Sequence, residues 1–189
     1  MAAPEEIIAS PLTVYLAPIG TAMPAIDAAP TSPWATLGIE GDLSYDESGV
    51  VVSHAETVFD VTPAGSTMPV KRFRTGESLL TKLVLMDVTP ETYAMVMNDA
   101  VVTTGAGEKS FDLYRGDIVN SFAVLMRGVS PVDQTLNMQY EIPKAFVSVN
   151  GDVTYNKGVV ASLPIEIQMI RHASDGSDDP ICRIATSSS

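Results

Sequence analysis

Apolar and polar side chains alternate with a period of two in several stretches of this 189-residue chain. Between residues 136 and 142, and again between residues 163 and 169, every second position is apolar. Successive side chains of a β-strand point to opposite faces, so this alternation predicts strands with one buried face. A further short strand is predicted over residues 12–17. Because 46% of the residues are hydrophobic, the chain can also form a core, and we predict a mainly β protein.

Other strand signals fill most of the remaining chain. Turns are predicted near Gly49 and at Asn150-Gly151, which favours a two-residue hairpin, and Gly76 indicates a bend or bulge. The additional segments rich in β-branched and apolar residues are 43–61, 70–73, 79–86, 119–127 and 145–149.

One helix and one long loop interrupt the strands. Thr89 is a good N-cap, Pro90 suits the first helical position, and an apolar stripe follows for about ten residues, to Asn98 or Asp99. Residues 18–33 contain four prolines, which predicts an extended loop that the lone Trp34 anchors on the body.

This order of elements predicts a β-sandwich or partly open barrel with one flanking short α-helix. Residues 1–172 are predicted to be a single domain, including an N-terminal arm and the proline-rich loop 18–33. Residues 173–189 are predicted to be a polar C-terminal arm or tail. Such a fold has exposed strand edges, so either the same subunit covers them or another subunit completes the sheet.

The charge is strongly acidic and unevenly distributed. The net charge is −12, and the first 70 residues contain nine acids and no Lys or Arg. This balance argues against a protein that binds nucleic acid by neutralising phosphates and against docking on anionic lipid. Two interpretations stay open: a solvated acidic face, or a surface that repels another polyanion.

The residues that usually carry catalysis or ligand binding form no convincing motif. His54 lies in a predicted strand, Cys182 has no nearby His, and neither His54 nor His172 belongs to a G-x-S-x-G elbow. Residues 103–110 resemble a phosphate-binding loop but lack its spacing, and residues 175–179 lack the ligand pattern of a calcium loop. We therefore expect no enzyme activity, no cofactor and no metal site.

The sequence also shows no pattern typical of a signal peptide or a membrane-spanning segment. The first six residues lack the basic start of a signal peptide, and the longest apolar runs are far shorter than the ~20 residues that span a bilayer. We expect a protein made in a cytoplasm, with no membrane partner.

The sequence resembles the major tail tube proteins of long-tailed, siphovirus-type bacteriophages. The likeness begins at the first strand and its proline-rich loop, and Thr89-Pro90-Glu91 falls where the family has its single helix. Two closing strands near Ile142-Pro143 and Leu163-Pro164 complete it. The matching segments are residues 12–21, 34–38, 47–50, 69–77, 89–93, 142–145 and 163–167.

The resemblance implies a structural virion protein. Members of the family assemble into hexameric rings that stack into a hollow tube, and their inner sheets join into one continuous barrel. The implied partners are further copies of the chain and the tape measure, terminator and tail-tip proteins. Double-stranded DNA passes through the lumen during genome ejection without tight binding, and the implied location is the virion tail.

Two sets of residues become candidates for this function. Part of the acidic set Asp42, Asp46, Glu47, Glu56 and Asp60 is expected to face the lumen, where negative charge keeps contacts with DNA few. The segment 55–68 is expected to reach an adjacent ring, or to be an ordinary surface loop. Its candidate contact residues are Thr62, Pro63, Gly65, Ser66 and Thr67.

Two alternatives stay open. One is another β-rich assembly component, such as a tail terminator, a distal tail protein, the tube protein of a type VI secretion system or an adhesion module. The other is an enzyme, which would require a catalytic role for His54 or His172.

Overall fold

A computed structural model of the chain describes residues 11–97, 101–113, 119–131, 133–153, 155, 157–158, 160–171 and 181–187. Some sequence predictions fall wholly or partly outside these ranges. They concern the N-terminal arm, the end of the helix at Asn98 or Asp99, His172 and residues 175–179. The described strands are β1 (Thr13–Pro18), β2 (Ala35–Thr36), β3 (Val51–Val61), β4 (Lys71–Leu85), β5 (Thr103–Gly105), β6 (Glu108–Ser110), β7 (Ser121–Val129), β8 (Asn137–Val149), β9 (Leu163–Met169) and β10 (Arg183–Thr186).

Eight of the described strands form one sheet, in the order β2-β1-β7-β8-β9-β4-β3, with β10 paired to β8. All neighbours run antiparallel. The sheet does not close, because β2 and β3 lie at opposite ends of the order. The mainly β, sandwich-like architecture with one flanking short helix is thus confirmed.

Strand β8 changes its neighbour halfway along. Its residues 138–141 pair with β10, whereas residues 145–149 pair with β9. Between these halves the register with β7 shifts, so that β8 carries an extra residue near Pro143. Proline has no N–H for a ladder bond and is tolerated at a bulge, and a bulge bends its strand. Pro143 therefore marks the place where the sheet turns.

The sheet surrounds one main core. The buried side chains come from β1 and β7 at one end of the strand order and from β4 and β9 at the other. The short α1 (Pro90–Val96) adds the buried Val96, and the Thr89 hydroxyl accepts a hydrogen bond from the amide of Thr92 at 3.2 Å. The predicted N-cap is confirmed, but the helix has seven residues instead of about ten.

Tyr45 joins the two ends of the sheet across this core. Its hydroxyl accepts a hydrogen bond from the Val14 amide at 3.1 Å and donates one to the Leu37 carbonyl at 2.9 Å. Its backbone forms a bridge with Leu85 of β4. Burial raises the pKa of the Tyr45 phenol, so the hydroxyl keeps its proton as a donor.

Replacing Tyr45 by Phe should lower the free energy of unfolding by about 1–3 kcal/mol. The change leaves the buried Val14 amide and Leu37 carbonyl without this partner, and unpaired buried polar groups are costly. Urea denaturation should show a lower midpoint with an unchanged slope. The matched control is Tyr155→Phe at a side chain that is 74% exposed, which should stay within about 0.5 kcal/mol. Equal midpoints for the two variants would contradict the role of Tyr45.

The proline-rich loop is held on the body by apolar and polar contacts. Trp34 packs with Leu125 and donates a hydrogen bond to the Ala22 carbonyl at 3.2 Å, which confirms its predicted role. The Arg127 guanidinium donates to the Ala25 carbonyl at 2.9 Å and to Gln139 at 2.6 Å. These bonds supply partners for carbonyls in a segment whose prolines cannot enter a ladder.

The same polar network reaches the C-terminal strand. Gln139 donates to the buried Glu141 carboxylate at 2.6 Å, and Arg183 of β10 pairs with Glu141 at 3.0 Å. Part of the predicted C-terminal tail is therefore a strand of the main sheet. The charge of Arg183 compensates a carboxylate that would be unfavourable if buried alone.

Two local predictions were wrong. Residues 43–50 do not begin a strand, because Gly41–Ser44 is a 3-10 turn and a loop follows to Val51. The Asn150-Gly151 pair does not form a two-residue hairpin, since β9 begins only at Leu163. Val149 pairs with Ile165, so a longer connection joins β8 to β9. The turn near Gly49 is confirmed, and the irregularity near Gly76 is a register shift within the continuous β4.

Candidate functional site

The longest hairpin extends beyond the sheet. Strand β4 pairs with β9 only through residues 80–85, whereas its residues 71–79 pair with β3 alone. We call residues 55–61 and 71–78 the arm, and residues 62–70 its tip. Nearly all side chains of the arm are exposed. The hairpin forms because the β-branched and aromatic residues on both sides of Pro63 favour extended backbone.

The candidate contact residues Thr62, Pro63, Gly65, Ser66 and Thr67 all lie at the tip. The Ser66 amide donates to the Pro63 carbonyl at 3.0 Å, and the Ser66 hydroxyl donates to the Met68 carbonyl at 2.7 Å. The tip is therefore a turn with its own hydrogen bonds, at the far end of the arm. The sequence prediction located the loop correctly but did not show that a long hairpin carries it away from the body.

One face of the arm carries a network of charges. The Arg72 guanidinium donates to both carboxylate oxygens of Asp60, at 2.6 and 2.8 Å. Arg74 lies 2.9 Å from the Glu56 carboxylate and 3.5 Å from that of Glu77. Hydrogen bonding to Arg72 lowers the pKa of Asp60 below its ordinary value, which favours the charged carboxylate of this ion pair.

These ion pairs neutralise part of the negative charge of the first 70 residues. Glu56 and Asp60 lie beside arginines that follow directly in β4, because the antiparallel register pairs Asp60 with Arg72 and Val58 with Arg74. An asymmetry along the sequence is thus partly cancelled in space. Two members of the predicted acidic set have cationic partners within the same arm.

The other three acids lie in the segment before β3. Asp42 accepts a hydrogen bond from the Thr13 hydroxyl at 3.2 Å, and Asp46 accepts one from the Ser48 amide at 3.0 Å. Glu47 is exposed. Within the part of the chain that the structure describes, Asp42, Asp46 and Glu47 have no Lys or Arg partner. The structure therefore divides the five candidates into a paired group and an unpaired group.

The opposite face of the arm is apolar at its outer end, where Phe59, Val61 and Phe73 lie, and we call this part the apolar face of the arm. Phe59 and Phe73 face each other across the two strands, with 58% and 45% of their surfaces exposed. The Lys71 ammonium lies 4.7 Å from the centroid of the Phe73 ring, within the range of a cation–π contact. The sequence did not identify this face as special, because two exposed aromatic residues on paired strands look like ordinary core residues until their surroundings are known.

One group of side chains has the composition of a metal site. Ligand atoms of His54, Glu56 and Glu77 lie within 4.8 Å of one another, and His54 Nε2 is 2.9 Å from Glu77. All three are exposed, and Arg74 already pairs with both carboxylates. A cation would have to displace this guanidinium, so we assign no metal here.

The other residues considered for chemistry have structural surroundings. Burial raises the pKa of the Cys182 thiol to about 11, which keeps it protonated and weakly nucleophilic at neutral pH. Residues 103–110 form the hairpin of β5 and β6, and Lys109 pairs with Glu91 of α1. His172 and residues 175–179 lie outside the described residues.

Comparison with known proteins identifies the family. No helix in the described ranges is long and apolar enough to cross a membrane. A search of curated proteins finds no significant match. A family model described as phage tail tube protein matches residues 1–179 and thus nearly the whole chain. This chain therefore belongs to the phage tail tube protein family, and it is a structural component of the virion tail.

Proposed function

We propose that the chain assembles into hexameric rings that stack into the hollow tube of a phage tail, through which DNA passes during ejection. The observation that carries the proposal is the family match over residues 1–179. The open sheet supports it, because strand β3 is eleven residues long and lies at an edge of the main sheet. An exposed edge of this length presents unpaired backbone groups to which a strand of another chain can add.

The ring arises when the edges of neighbouring sheets join. One edge of the sheet is β3 and the other is the two-residue β2 beside β1. These edges differ, so the contact between copies is heterologous, and such contacts close into rings when the rotation permits. The protein is synthesised in the host cytoplasm before assembly, and its role involves no catalysis.

The tip of the arm is proposed to contact the next ring. The arm separates the tip from the part of the sheet where β4 pairs with β9. The tip therefore extends past the body of its own subunit. The residues proposed to make this contact are Thr62, Pro63, Gly65, Ser66 and Thr67.

Two of the unpaired acids, Asp42 and Asp46, are proposed to give the lumen its negative potential. Within the described part of the chain they have no Lys or Arg partner, whereas Glu56 and Asp60 pair with Arg74 and Arg72, and Glu47 lines a groove. An acidic wall repels phosphates and prevents DNA from binding tightly during transit. A map of the assembled tube that places all five acids on the outer wall would contradict this part of the proposal.

Electron microscopy of the purified, concentrated protein tests the main proposal. Stacked rings or hollow tubes are the expected result. The expected partners are the tape measure, terminator and tail-tip proteins, so a protein that stays monomeric alone is examined again with tail-tip components as initiators. Persistent monomers under both conditions, or single rings that never stack, would contradict a tube.

A further inference from the structure

A second exposed apolar feature lies near the start of β3. It is a groove with a volume of about 490 Å³ between the start of β3 and the strands β7 and β8. Glu47 is the one charged residue among the described residues that line it. The apolar residues of the groove used below are Leu12, Val50, Val52, Val129, Met138 and Tyr140.

The groove and the apolar face of the arm cannot meet within one chain. Val52 and Phe59 are seven residues apart on the same strand, which corresponds to about 23 Å at ~3.3 Å per residue. Lys71 pairs with Val61, ten residues after the start of β3 at Val51, which corresponds to about 33 Å along the arm. Any contact between the two features therefore joins different copies of the chain.

The two features are complementary in polarity and charge. The arm presents the aromatic pair Phe59 and Phe73, and Lys71 is the one charged residue on that face of the arm. The groove presents apolar side chains, and among its described lining residues the acid Glu47 carries the charge. Aromatic side chains dominate the energy of interfaces, and a charge pair at the rim mainly selects the correct partner.

We propose that the apolar face of the arm docks into this groove on a second copy, with Lys71 of one subunit beside Glu47 of the other. This inference rests on the proposed assembly and names the surface that the arm uses. The two partners contribute different surfaces, so the contact is heterologous and propagates around a ring or along a stack. It also covers two aromatic rings that the isolated subunit exposes to water.

The main test is a charge exchange between Glu47 and Lys71. Glu47→Lys and Lys71→Glu should each raise the protein concentration needed for assembly about tenfold, measured by light scattering and electron microscopy. The double variant should restore assembly, because its reversed charges attract again. The matched control combines Lys71→Glu with Glu40→Lys, an exposed acid outside the groove, and should not be rescued. A double variant that assembles no better than the single variants would overturn the docking.

The aromatic part of the contact is tested separately. Phe73→Ser should leave the melting temperature of the unassembled subunit nearly unchanged, because Phe73 is already exposed, but should raise the concentration needed for assembly at least tenfold. Unchanged assembly would overturn the docking and leave the tube proposal intact. Failure of the unmodified protein to assemble even with tail-tip components would contradict the tube and the docking together.

Zero-length carbodiimide cross-linking identifies the partner directly. In tubes formed from a mixture of ¹⁵N-labelled and unlabelled subunits, an amide between Lys71 and Glu47 of differently labelled chains is the expected product. Links from Glu47 only to lysines other than Lys71 would overturn the proposal, because the groove would then hold a different segment.

Discussion

A variant that lacks residues 62–67 is expected to fold and form rings but not to stack them into tubes. The deletion removes the turn at the tip and leaves Met68-Pro69-Val70 to connect Val61 to Lys71. These two residues are paired in the hairpin, so a three-residue connection can still close it. The tip is exposed and the core contains none of its residues, so the subunit should keep its stability.

Electron microscopy and sedimentation measure the effect of this deletion. Tubes should be lost almost completely, whereas the melting temperature should fall by no more than a few degrees. Gly65→Ala is the matched control, since a Cβ added there meets no atom within 4 Å and the residue has no positive φ. It should form tubes like the unmodified protein. Tubes of normal length from the deletion variant would show that the tip is an ordinary surface loop.

Replacing Ile142 by Ala should destabilise the subunit by about 2–5 kcal/mol. Ile142 lies on β8 beside the bulge at Pro143, is completely buried, and belongs to the core that both ends of the sheet share. Truncation removes buried apolar surface and leaves a cavity that the surrounding strands can fill only in part. Because a domain of this size is stable by only about 5–15 kcal/mol, this is a large fraction of the total.

The matched control uses the same change at an exposed position. Ile184 lies on β10 with 62% of its surface exposed, so Ile184→Ala should change the free energy of unfolding by less than about 0.5 kcal/mol. Denaturant unfolding of both variants as monomers measures the difference. Similar decreases in the free energy of unfolding for the two variants would mean that the Ile142 side chain does not stabilise the core.

The strands that could be predicted from sequence were those with one buried face. In β9 the buried positions alternate strictly with half-buried ones, because one face covers the core. The N-cap at Thr89 was predictable because capping depends on neighbouring residues alone. The conformation of the segment around Leu43 could not be predicted from the sequence. Its backbone is held by Tyr45 and by hydrogen bonds to β4, which is distant in sequence. Its β-rich composition therefore gave a wrong strand.

The candidate site also combines features that the sequence predicts with features that depend on the tertiary structure. The position of residues 62–67 between two strands followed from their Pro, Gly and Ser content, but the exposure of the whole arm depends on where β9 stops pairing with β4. The acidity of Glu56 and Asp60 was visible in the sequence, yet their arginine partners became visible only through the hairpin register. The groove beside Glu47 brings together residues from the start of β3, β7 and β8.

By itself, the sequence determined the mainly β fold class, the helix cap, the order of the elements and the family resemblance, all of which depend on local pattern and composition. The tertiary structure decided which charges are neutralised, which apolar side chains stay exposed and which edges stay open. These properties depend on contacts between residues far apart in the chain. The β-rich composition of residues 51–61 predicts a strand, but only the pairing of β3 with β4 alone shows that Phe59 lies outside the core.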